Sequence, residues 1–160
     1  MRSPEPFPSP NSQRAAPLSC IDGCVERHRD IILLIARIAL GVIFVRESTF
    51  KFMDLNGFID SMAGKGMPMA SVIAPVAAAA ELLGGIAIIL GLTTRYAALL
   101  MVVFIIAASL TSHRYWEQTG NAARSNDIHF YKNLSMIGGF LALAVAGAGR
   151  YAVDALLRRR

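Results

Sequence analysis

Residues 74–91 read APVAAAAELLGGIAIILG. Every position is apolar or small except Glu81, an acid in the middle of the run. A helix rises about 1.5 Å per residue, so about 20 such residues cross the ~30 Å hydrocarbon core of a bilayer. The stretch therefore predicts a membrane-spanning helix over about 72–90 with a carboxylate near its midplane. An ionised carboxylate at that depth costs about 2.5–3.5 kcal/mol on insertion scales. Glu81 must then face other helices and be paired, protonated or hydrated.

Three more apolar runs of similar length flank this one, at about 31–52, 95–112 and 128–148. None alternates with period 2, which argues against a membrane β-barrel. With 54% hydrophobic and 17% charged residues, the chain reads as all-α, a polytopic four-helix membrane bundle forming one domain. Its net charge of +5 does not mark a nucleic-acid binder. The arginines flank apolar runs and form no basic stripe interleaved with aromatics, so the partner they imply is a bilayer with anionic lipid.

Local signals punctuate the runs. Ser71 is the expected N-cap of the second helix, with Pro75 in its first turn, where a missing N–H costs little. Gly91 suits a left-handed C-cap; Thr94 and Asp127 are expected to cap the third and fourth helices. The link from Gly91 to Thr94 is short enough to force an antiparallel pair. Small residues (Ala77, Ala78, Gly84 and Gly85 on the second helix, Gly138, Gly139, Ala142 and Ala146 on the fourth) permit close helix approach.

Counting arginine and lysine gives nine on the side of the termini and six on the other, with Arg37 inside the membrane. The positive-inside rule then places both termini in the cytoplasm of a bacterial cell, as a multi-pass inner-membrane protein. Five of the seven prolines lie in the first 20 residues, which lack the apolar core of a cleavable signal peptide. Residues 1–27 are expected to be a disordered tail, residues 28–160 the membrane domain, and residues 150–160 an interfacial amphipathic tail. Cys20 and Cys24 have C-x-x-x-C spacing, neither a redox pair nor a zinc set, and read as ordinary thiols.

Two groups of side chains could carry chemistry. The first is Glu81 with Arg37, the cation nearest to it in depth on the first helix. The pair reads either as a register-fixing ion pair or as a proton or substrate group, and function is the default for intramembrane ionisable residues. The second gathers at the outer helix ends: Glu47, Arg46 and Lys51 on the first helix, His113 and Trp116 after the third, and His129, Lys132 and Asn133 on one face of the fourth. Lys132 could neutralise an anion or a reduced oxygen. Tyr115 and Trp116 also fit an interfacial aromatic belt, and Lys51 and Arg114 fit snorkelling. The histidines lack metal-ligand spacing, so no metal is expected, and no nucleotide, haem or nucleophile motif occurs.

The order and spacing of LLIARIALGVIFV (33–45), GKGMP (64–68), AAAAELLGGIAIILGLTTRYAALL (77–100), SHRYWEQ (112–118), IHFYKNLSMIGGFLAL (128–143) and GAGRYAVDALL (147–157) resemble the DoxX family of small four-helix bacterial membrane proteins. The resemblance implies a subunit or accessory of a quinone-linked membrane oxidoreductase, with a quinone as cofactor and membrane or soluble redox proteins as partners. Glu81, Arg37, His113, Trp116, Lys132 and Asn133 fall on the family pattern. RESTFK (46–51) departs from it by adding Arg46 and Glu47 where relatives carry small or apolar residues. On this reading Glu81, Arg37, His113 and Lys132 are the candidate catalytic groups, and Asn133, Trp116, His129 and Glu47 the candidate cofactor contacts. A scaffold for soluble redox partners, with or without self-association, is the alternative. A transporter fits less well, because the inner halves of the later helices offer almost no polar lining beyond Arg37.

Overall fold

The computed structural model describes residues 16–157, with side chains described from residue 20 onward. The described residues are helical and contain no strand. In chain order the helices are α1 (Ala16–Arg27), α2 (Arg29–Met53), α3 (Leu55–Gly64), α4 (Ala70–Leu90), α5 (Thr94–Ser112), α6 (Gly120–Ala146) and α7 (Val153–Leu157), with a 3-10 turn at Tyr115–Glu117. Three stretches are long and apolar enough to cross a membrane: Ala70–Leu90, Thr94–Glu117 and Gly120–Ala146. Helix α2 matches them in length, but it carries Arg37, Arg46, Glu47 and Lys51 within its apolar run.

The long helices alternate in direction. Helix α2 packs most extensively on α4, and α5 on α6. The α2–α4 seam closes where Gly41 and Gly85 meet, because neither residue has a side chain to hold the backbones apart. Gly84 faces the Met101 side chain of α5, and Gly139 of α6 receives Leu40 of α2. The core between the four consists of Phe44, Ile88, Ala98, Met101, Ile105, Phe140 and Leu143. Phe44 and Phe140 pack with ring centroids 5.7 Å apart.

Several local features differ from the sequence expectation. Residues 16–27 form helix α1, although the Pro-rich stretch before them suggested disorder; residues 1–15 of that tail lie outside the described residues. Only one proline falls in α1, in its first turn, where the helix tolerates it. Cys20 and Cys24 are exposed free thiols one turn apart on this helix. Helix α4 begins at Ala70, with Met69 in a left-handed conformation as its N-cap, so Ser71 is not the cap and Pro75 lies inside the helix. Gly91 ends α4 with φ of 70°, as its lack of a side chain allows. Helix α6 starts at Gly120, so Asp127 lies within it rather than capping it. Ala122, Ala123 and Arg124 favour helix and carry α6 two turns beyond its apolar span.

The C-terminal segment docks on the bundle instead of merely lying beside it. Ala152 is buried, and the Asp154 carboxylate accepts hydrogen bonds from the backbone amides of Thr93 (2.6 Å) and Thr94 (2.8 Å). The cap of α5 thus comes from a residue 60 positions away, not from Thr94 itself. Residues 158–160 of the expected interfacial tail lie outside the described residues. Asp154→Ala should remove this cap and cost about 1 kcal/mol. Limited proteolysis should then cut near residues 150–157 faster than in the wild type; unchanged cleavage would count against the docking.

Candidate functional site

Helix geometry decides which charged groups meet. A Cα–Cβ bond tilts towards its own helix N-terminus. Lys51, near the C-terminal end of α2, therefore points back into the bundle. Glu81 on the antiparallel α4 points towards that same end. The two converge, and the Lys51 ammonium forms a short ion pair with the Glu81 carboxylate. The Glu81 side chain is 7% exposed and that of Lys51 27%.

Arg37, on α2 like Lys51, also tilts towards the α2 N-terminus, but from its position nearer that end this carries it away from Glu81. Its guanidinium is fully buried and donates to the Tyr151 carbonyl at the opposite end of the bundle. It lies against Gly91, where a Cβ would run into the guanidinium and Ala152. The expected Arg37–Glu81 pair is therefore absent among the described residues. Depth alone suggested it; side-chain direction separates the two groups. Lys51 likewise does not snorkel outward, as a flanking lysine would, but turns inward to the carboxylate.

Around the Lys51–Glu81 pair lies a cavity of about 780 Å³, at the end of the bundle where α2 and α5 finish and α4 and α6 begin. That size is ample for a drug-sized or cofactor-sized ligand. Ile43, Phe44, Ile105, Ala77 and Met136 line its apolar part. Its polar rim holds Glu47, Lys51, Lys65, Glu81, His113, His129, Lys132 and Asn133. Six of the eight expected site residues thus line one cavity: Glu81, Glu47, His113, His129, Lys132 and Asn133. Arg37 and Trp116 do not line it. Trp116 is 52% exposed and packs edge-on against Tyr115 and Phe130, as an interfacial aromatic would.

Hydrogen bonds hold the rim. Asn133 donates to the Ser109 hydroxyl (2.9 Å), which donates to the Ile105 carbonyl (2.7 Å), so a buried polar chain links α5 to α6. His113 and His129 stack with centroids 5.0 Å apart. His113 Nδ1 contacts Asn126 Oδ1 at 3.1 Å, and His129 Nδ1 contacts Lys132 Nζ at 3.3 Å. Glu47 pairs with its neighbour Arg46 at 2.6 Å.

One wall was not anticipated at all. Helix α3 packs across the same end through Phe58 and Met62, which meet Ala70 and Ala74 of α4. Asp54 caps it by accepting from the Gly57 amide at 3.0 Å. Lys51 Nζ lies 5.2 Å from the Phe58 ring centroid, a cation–π contact beside the ion pair. Arg114 donates to the Lys65 carbonyl at 3.1 Å and ties the turn after α3 to the end of α5. Asn126 and Ser109 are the contributors the sequence reading missed; Lys51 was placed in the outer group, but not as the partner of Glu81. Ser109 and His113 share a face of α5, and Asn126 shares one with His129 and Phe130, so helical spacing carried the signal. Asn126 was hidden because residues 120–127 were not read as helix.

The cavity also reaches the lipid-facing surface. Val72 and Val76 of α4 line it while 53% and 63% exposed, and the exposed Ala107 of α5 lines it from across the gap. The wall between α4 and α5 is therefore continuous with the apolar exterior of the bundle.

Against known proteins, the DoxX family model matches residues 32–114. The chain belongs to the DoxX family. It is 39% identical over 126 residues to the inner membrane protein YphA of Escherichia coli, covering 79% of this chain and 90% of that protein. With the inner membrane protein YqjF of the same organism it is 31% identical over 136 residues, or 85% of this chain and 99% of that protein. CatD of Bacillus subtilis, whose name gives oxidoreductase as a suggested activity, is 34% identical over 93 residues, 58% of this chain and 68% of its own length. No solved structure matches significantly. The DoxX chain described here is an integral, multi-pass inner-membrane protein whose apolar helices contact the lipid bilayer.

Proposed function

We propose that this DoxX protein binds a quinone-class molecule in the cavity beside Glu81 and serves as a subunit or accessory of a quinone-linked membrane oxidoreductase system. The carrying observation is the cavity itself: an apolar chamber continuous with the lipid-facing surface, with proton-bearing groups gathered at one end. A flat, apolar ring with polar oxygens fits that division, and quinone reduction needs two protons for two electrons, for which acid–base groups at membrane depth are suited. The likeness to CatD points the same way. Within the site, Glu81 and Lys51 would anchor a ring oxygen, and the electrons would pass to or from a partner redox protein.

The topology that goes with this reading has four spans, with α2 as the first. Its 25 residues run antiparallel to α4, and of its charges within the apolar run Glu47 and Lys51 line the cavity, Arg46 pairs with Glu47, and Arg37 meets the Tyr151 carbonyl. Both termini are then cytoplasmic by the arginine and lysine count, and the cavity faces the outer leaflet.

The test is titration of the purified full-length protein in lipid nanodiscs with a short-chain benzoquinone. Saturable binding is expected, weakened at least fivefold in Glu81→Gln, which keeps the shape of the side chain and removes its charge. Absence of saturable binding, or an unchanged affinity in the variant, would overturn the proposal.

A further inference from the structure

The stacked histidines carry more information than their position. Asn126 Nδ2 donates to the Ala122 carbonyl at 3.1 Å and to Gln118 Oε1 at 2.6 Å. A backbone carbonyl can only accept, so this contact fixes which end of the Asn126 amide is nitrogen. The oxygen end is then the atom that meets His113 Nδ1 at 3.1 Å. An amide oxygen only accepts, so His113 Nδ1 carries the proton and its Nε2 is left with a bare lone pair.

His129 is held in the opposite form. Its Nδ1 faces Lys132 Nζ at 3.3 Å, and an ammonium only donates. The His129 Nδ1 is therefore the acceptor, and its proton sits on Nε2. Neither Nε2 has a protein hydrogen bond among the described residues. Both rings line the cavity, stacked 5.0 Å apart at an interplanar angle of 26°. Two neighbouring imidazoles thus offer a ligand one acceptor and one donor.

We infer that the cavity selects a ring bearing a hydroxyl group, the quinol in preference to the quinone, with the hydroxyl donating to His113 Nε2 and an oxygen accepting from His129 Nε2–H. The inference rests on the proposed quinone-class ligand and deepens it. A quinone has only acceptors. It can satisfy His129, but it sets a carbonyl lone pair against that of His113, and a site built to hydrogen-bond a hydroxyl discriminates against the analogue lacking it. A quinol satisfies both rings. Asn126 and Lys132 are the positioning residues, because they set the two tautomers without needing to touch the ligand.

The experiment is anaerobic calorimetric titration of the full-length protein in nanodiscs with decylbenzoquinone and, separately, with its quinol. The wild type should bind the quinol about tenfold more tightly. His113→Asn keeps an amide donor near the Nδ1 position and deletes the Nε2 acceptor; it should lose the quinol preference, because the quinol loses its acceptor and the quinone is freed of the opposed lone pair. His129→Asn keeps an acceptor for Lys132 and deletes the Nε2–H; it should weaken both forms by a similar factor. Equal affinity for the two forms in the wild type, or a preference that survives His113→Asn, overturns the inference while the quinone-class reading stands. Failure of both forms to bind overturns that reading and this inference together.

Discussion

Lys51→Met should be the most damaging change at the ion pair, costing about 3 kcal/mol. It strands a carboxylate whose side chain is 7% exposed, on a short stem fixed near the middle of α4. The reverse change, Glu81→Leu, should cost only about 1 kcal/mol, because the 27% exposed Lys51 has four methylenes with which to swing its ammonium towards the cavity mouth. The two partners of one pair thus have unequal effects, and the inequality follows from reach rather than charge. Combining the two substitutions leaves neither charge stranded, so the double variant should recover most of what Lys51→Met loses. Thermal unfolding in a mild detergent, followed by circular dichroism, ranks the three. Equal damage from both single variants, or a double variant no better than Lys51→Met, would show that the pair does not hold the bundle in this way. Recovery of stability should not restore quinone binding, since the double variant lacks both anchors. That separates a holding role from a binding one.

The same pair shows where a sequence stops being legible. Four apolar runs with a buried acid in the second announce a helical membrane bundle, because insertion energetics depend on composition along a segment and little else. Side chains spaced three and four apart then bring His129, Lys132 and Asn133 to one face, and the structure does gather them at the cavity. Pairing across helices needs more than depth. Arg37 and Glu81 lie on adjacent helices, yet antiparallel packing sends their side chains to opposite ends, while Lys51 comes inward from the helix terminus. Helix α3 was hidden for a different reason. Its sequence LNGFIDSMAG is too short to span, so a search for membrane-length apolar runs passes over it; the cavity supplies the place for Phe58 and Met62. Docking of Asp154 on the start of α5 is likewise a long-range contact that no local pattern encodes.

Gly41→Leu should separate α2 from α4 and destroy the site from a distance. A Cβ on Gly41 would lie 2.5 Å from Ile89 Cγ1 and 2.8 Å from the Gly85 carbonyl oxygen. Ile89 can rotate away; the carbonyl belongs to the helix backbone and cannot. The wall is mutual, since a Cβ on Gly85 would meet the Gly41 carbonyl at 3.0 Å. Forcing four carbons into that contact costs about 3 kcal/mol or more, at the upper end for overpacked cores, because two backbones must part. Parting them moves Lys51 and Glu47 of α2 away from Glu81, ten residues from the substitution along the chain in the case of Lys51. Quinone affinity should therefore fall with stability in Gly41→Leu. Gly138→Leu is the matched control: a Cβ there meets nothing within 4 Å, so the same added bulk faces open space on α6. Unfolding midpoints of the two variants, measured side by side with quinone titrations, should show a large loss for Gly41→Leu and almost none for Gly138→Leu. Equal tolerance at both positions would mean that the Gly41–Gly85 contact does not set the spacing on which the cavity depends.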